Sequence, residues 1–76
     1  MPHIIVKLYP GRTEEQKVEV TARIVDAIMD TLKISSNSIS VGIEEVSAED
    51  WTETVYKPDI IKKEVTLYKK PGYQPK

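Results

Sequence analysis

His3-Ile4-Ile5-Val6-Lys7-Leu8-Tyr9, followed at once by Pro10-Gly11-Arg12-Thr13-Glu14-Glu15-Gln16, is the stretch on which the fold turns. The first seven residues are rich in β-branched and aromatic side chains and contain no glycine. Ile4, Val6 and Leu8 share one face at period two, with Ile5, Lys7 and Tyr9 on the other, which predicts a strand. Pro10-Gly11 ends it, as that dipeptide does at turns. Thr13 and Gln16 fit a capping box, and Glu14 and Glu15 sit where a helix dipole favours anions. Val18, Thr21, Ala22, Val25, Ile28, Met29 and Leu32 then recur at spacings of three and four. That pattern predicts an amphipathic helix of roughly twenty residues, ending near the polar loop Ile34-Ser35-Ser36-Asn37-Ser38.

Ser38 to Val46 alternates again, with Ile39, Val41 and Ile43 inward and Ser40, Gly42 and Glu44 outward. Strand, crossover helix, strand is a βαβ unit, so the fold class is α/β (α+β) with two parallel strands and a right-handed crossover. Two strands alone leave open edges, and a second copy of the chain is expected to complete the sheet. Ser47-Ala48-Glu49-Asp50-Trp51 reads as a capped helical turn. Lys57-Pro58-Asp59 is expected to start a second short helix through about Leu67, since proline suits a first helical turn. Lys69-Lys70-Pro71-Gly72-Tyr73 ends it, and extended residues follow.

Outside these elements the composition sets limits. The chain has 76 residues and 8.6 kDa, with 39% hydrophobic and 30% charged residues, and is expected to form one domain, 1–76. A chain this short buries only about 60% of its unfolded surface, so its core is marginal. Small domains compensate with disulfides, a metal or self-association. No Cys and a single His exclude disulfides and Cys/His zinc sites, so no metal is expected and a homo-oligomer is. Eleven basic against twelve acidic residues steer the chain toward neither nucleic acid nor an anionic membrane. The lysines from Lys57 onward are interrupted by Asp59 and Glu64 and read as a solvated face rather than a nucleic-acid patch. No apolar run exceeds three residues, so no membrane span is expected and a cytoplasmic location is.

Few residues carry chemistry. There is no Cys nucleophile and no Gly-rich phosphate loop, and His3 reads as an ordinary strand-end residue. Pro2 stands out. It follows Met1 directly, and removal of methionine would leave a secondary amine at the start of a strand. An α-amino group titrates near pH 8, and partial burial or a nearby cation lowers that value, so such an amine can serve as a general base near neutrality.

Met1-Pro2-His3-Ile4-Ile5-Val6, Gly11-Arg12-Thr13-Glu14-Glu15-Gln16-Lys17, Ser38-Ile39-Ser40-Val41 and Trp51 together resemble the 4-oxalocrotonate tautomerase family. The tail from Trp51 resembles the longer, dimeric bacterial members rather than the shortest hexameric ones. The resemblance implies a cofactor-independent keto–enol tautomerase, an isomerase acting on a small enol or keto acid. It implies Pro2 as the acid–base residue, Arg12 as the cation for a substrate carboxylate or carbonyl oxygen, and Trp51 in the apolar wall. Where dicarboxylate-specific members carry a second arginine, this chain has Ser40. One fewer cation favours a monocarboxylate such as an arylpyruvate over a dianion. The competing expectation is a small dimeric interaction module that keeps the fold without the chemistry.

Geometry adds a constraint. Seven strand residues span on the order of 23 Å, and an arginine reaches about a third of that. Arg12 is therefore expected to serve Pro2 of a neighbouring subunit, and the dimer to be the smallest active species.

Overall fold

A computed structural model describes residues 1–74, and the strand-and-helix half follows the alternation closely. Strand β1 covers His3–Leu8, helix α1 Glu14–Leu32 and strand β2 Ser40–Glu45. The strands are parallel, with α1 between them in sequence. The register sets His3 beside Ser40, Ile4 beside Val41, Ile5 beside Gly42 and Val6 beside Ile43. Ile4, Val6, Val41 and Ile43 are half-buried, whereas Ile5 is 47% exposed. A one-residue slip would exchange the two faces, so this apolar pairing specifies the register.

The helix begins as its sequence requires. Thr13 Oγ1 accepts from the Gln16 backbone N–H, and the Gln16 side chain accepts from the Thr13 N–H, each at 3.0 Å. Before it, Gly11 sits at φ +120, a conformation that side-chain-bearing residues rarely adopt. At the far end Lys33 occupies the left-handed region, φ 58, and its N–H donates to Met29 O. Lysine there carries strain that glycine would not.

Two expectations change. The half-buried line on α1 runs through Lys17, Thr21, Ile24 and Ile28, with Val25 and Met29 beside it. Ile24 joins the predicted stripe, while Val18, Ala22 and Leu32 stay exposed, Val18 at 62% and Leu32 at 57%. Two strands about 4.8 Å apart are narrower than the apolar arc of the helix, so part of that arc has nothing to cover it. Ile39, expected as the first inward strand residue, instead caps the 3₁₀ turn Ser36–Ser38.

The chain divides into two compact units, Met1–Glu45 and Val46–Lys76. In the second, Ser47 Oγ accepts from Asp50 N–H at 3.2 Å, the predicted capped turn. The expected restart at Lys57-Pro58 does not occur. A single π-helix, Thr52–Ile61, runs through Pro58, and a 3₁₀ turn, Glu64–Thr66, follows. Lys62 N–H reaches back five residues to Lys57 O at 3.0 Å. Pro58 has no N–H to donate, and in an α-helix its ring would press on the carbonyl four residues back; the wider π winding relieves that clash. Val55, on this helix, is the one buried hydrophobic residue among the described residues. The expected extended end, Pro75-Lys76, lies outside the described residues.

Candidate active site

Pro2 stands immediately before β1 and is half-buried. Its carbonyl accepts from the Ser40 N–H at 3.1 Å, so the sheet ladder extends to this residue and fixes the chain start against β2. Met1 beyond it is fully exposed, at 101%. Beside Pro2, His3 Nδ1 and Ser40 Oγ share a hydrogen bond of 2.6 Å. Pro2, His3 and Ser40 thus occupy one end of the sheet.

Arg12 belongs to the opposite end. It follows the Pro10-Gly11 turn, past the C-terminal end of β1, and is exposed. Among the described residues it makes no ion pair, with Glu15 on the first turn of α1 or any other carboxylate. It lines an open groove of about 250 Å³ with Leu8, Gln16, Lys17 and Val20. Lys17 reaches from α1 to Glu45 at the end of β2, 2.8 Å away. That hydrogen bond raises the Lys17 pKa above its usual 10.5; desolvation opposes it, and the charges of Glu45 and Glu14 add to the rise. The groove therefore holds one cation paired with a carboxylate, Lys17, and one, Arg12, that makes no ion pair among the described residues. The six residues of β1 span about 20 Å, so Pro2 and Arg12 of one chain are not brought together.

Trp51 lies in the second unit and precedes the π-helix. Its indole N–H donates to the Tyr73 hydroxyl at 2.9 Å, and the Tyr73 ring packs on Tyr56 at 5.8 Å between centroids. Tyr56 and Tyr73 also border a cavity of about 660 Å³ with Ile60, Leu67, Glu64 and Lys70. Nothing local in the sequence signals Tyr73 as a partner of Trp51, since 22 residues separate them. The His3–Ser40 pair has a signal in the sequence: parallel pairing of the two alternating segments with Ile4 beside Val41 sets those two residues side by side. Among the described residues no group of three His, Cys, Asp or Glu is placed to hold a metal ion.

Comparison with known proteins places this architecture. The family model described as "Tautomerase enzyme" matches residues 2–54, which takes in the whole βαβ unit. A probable tautomerase of Xylella fastidiosa (strain 9a5c) is 44% identical over 73 residues, 96% of this chain and 89% of that protein. Tautomerase PptA of Escherichia coli (strain SMS-3-5 / SECEC) is 36% identical over 74 residues, 96% of this chain and 97% of that one. Among solved structures, a 4-oxalocrotonate tautomerase isozyme from Methylibium petroleiphilum superimposes with a TM-score of 0.62 at 35% identity. That likeness covers 63% of this chain and 75% of the other. The YwhB homologue of 4-oxalocrotonate tautomerase gives 0.60 at 36%, covering 62% and 77%. With strand order, helix start and sequence in agreement along the same residues, this chain belongs to the 4-oxalocrotonate tautomerase family.

Proposed function

We propose that the chain, once Met1 is removed, is a cofactor-independent tautomerase that interconverts enol and keto forms of a small 2-oxo monocarboxylate, an arylpyruvate above all. Family membership supports the tautomerase-like chemistry, and the anchoring of Pro2 by the Ser40 N–H carries the assignment of the base. A nitrogen held at the end of a ladder approaches substrate in one geometry, which is what an acid–base group must do. In the ketonising direction the Pro2 nitrogen accepts the enol hydroxyl proton as the C–O bond becomes a carbonyl. The resulting prolinium delivers a proton to the adjacent carbon, so one proton leaves oxygen, one joins carbon, and the amine is restored.

Arg12, open in its groove, engages the carboxylate or the carbonyl oxygen, and Trp51 supplies an aromatic wall for the substrate's ring. Because one chain holds Pro2 and Arg12 apart, the working unit is a homo-oligomer; the resemblance of the tail from Trp51 to the longer, dimeric members supports a dimer rather than a hexamer. The test pairs the mass of the purified chain with ketonisation of phenylenolpyruvate followed by absorbance. Turnover that needs both loss of Met1 and Pro2 supports the reading; no turnover across several enol acids turns it toward the interaction module.

A further inference from the structure

The His3–Ser40 hydrogen bond is an unusual expenditure for an exposed strand end. Both side chains are exposed, and a hydrogen bond that competes with water contributes little to stability after two side chains are ordered. Its physical consequence is orientation. With Nδ1 engaged, the imidazole is held in one pose, and its other polar atom, Nε2, is left for a further partner. A serine hydroxyl can give or accept. When Ser40 donates to Nδ1, the ring hydrogen of neutral histidine must sit on Nε2, which then becomes a donor.

The ring stands at a defined place. His3 follows Pro2 directly, and the Ser40 that holds its ring also donates its backbone N–H to the Pro2 carbonyl. Ser40 therefore ties the base and the imidazole to the same rung of the sheet. In a 2-oxo acid whose carbon reacts at the Pro2 nitrogen, the carboxylate lies two bonds away. An N–H oriented on the residue next to the base is a donor for such a carboxylate, and hydrogen bonds to a carboxylate are the stronger class.

We propose that His3 is a carboxylate-binding residue of the Pro2 site, donating Nε2–H to the substrate, and that Ser40 is the positioning residue that fixes its ring and tautomer. The inference rests on the reading of Pro2 as the base. It adds a recognition group from the same chain as Pro2, whereas Arg12 comes from the partner.

The experiment measures binding of 3-phenylpropanoate, an unreactive arylcarboxylate, and of its methyl ester to the Met1-processed protein by calorimetry, together with phenylenolpyruvate kinetics. His3→Ala should weaken 3-phenylpropanoate roughly five- to tenfold, leave the ester unchanged, and raise KM far more than it lowers kcat. Ser40→Ala should give part of that loss, and Ser40→Thr, which restores a hydroxyl on a strand-compatible side chain, should recover it. Unchanged acid binding in His3→Ala, an equal loss on acid and ester, or no measurable binding by the parent protein would each overturn the proposal. Pro2-dependent turnover with unchanged acid binding in His3→Ala would remove this inference and leave the tautomerase reading. His3-dependent binding of the acid without turnover would do the reverse.

Discussion

Pro2 has no basic lone pair while Met1 is attached, because its nitrogen is then an amide. Processed protein should turn over phenylenolpyruvate, and protein proven by mass to retain Met1 should be nearly inactive. In processed protein, Pro2→Ala keeps an amine but makes it primary and frees it from the ring, and kcat/KM should fall on the order of 100-fold. Equal rates from processed and unprocessed chains would take Pro2 out of the mechanism. Lys33 is a second residue whose setting makes a prediction. Its φ of 58 costs an L-residue roughly 1–2 kcal/mol, part of which glycine returns through a more flexible unfolded chain. Lys33→Gly should therefore raise unfolding free energy by up to about 1 kcal/mol in urea titration; a destabilised variant would contradict the strain.

Helix α1 depends on its first turn and on its tie to β2. Thr13→Ala removes the acceptor for Gln16 N–H and should cost about 1 kcal/mol in the same titration. Across the layers, Lys17 and Glu45 join the helix start to the end of the sheet. Folding raises the Lys17 pKa, so its contribution is fully present below the ordinary lysine value of 10.5 and is lost as pH climbs through the higher folded value. Glu45→Gln should be less stable than the parent at neutral pH, and the two melting curves should converge at alkaline pH. A gap that persists well above pH 10.5 would show that the pair acts by packing rather than charge. The π-helix shows the opposite relation between sequence and element. Lys57-Pro58-Asp59 carries a good start signal, yet the chain is already helical from Thr52, and the wider winding absorbs the proline.

At the scale of the molecule, the described residues include one buried hydrophobic side chain, and Ile5, Val18 and Leu32 remain exposed. That distribution suits a protomer whose apolar faces are finished by another copy. Association should make the melting temperature rise with protein concentration, measured by circular dichroism over a hundredfold range; a constant value would argue for a monomer. The shared-site reading has its own test. Mixing Pro2→Ala and Arg12→Ala chains should restore activity, because one of the two sites in a mixed dimer would be intact. No recovery, despite proven subunit exchange and inactive parents, would place Arg12 outside the site.

What the chain determined by itself was the local and the periodic. Alternation in Ile4-Ile5-Val6 and Val41-Gly42-Ile43, the Thr13–Gln16 box and the Pro10-Gly11 turn each encode their structure within a few residues, so β1, α1 and β2 were legible to within one or two positions. Pro2 and Arg12 were legible as candidates through the same segments. The tertiary structure decided what depends on register and on covered width. It set His3 against Ser40 across 37 residues of sequence, turned Ile24 rather than Val18 toward the half-buried line, and joined Trp51 to Tyr73. No local propensity contains these arrangements: the two hydrogen bonds form only when segments far apart in sequence meet, and the choice of Ile24 over Val18 only when a helix face settles on a sheet too narrow to cover it all.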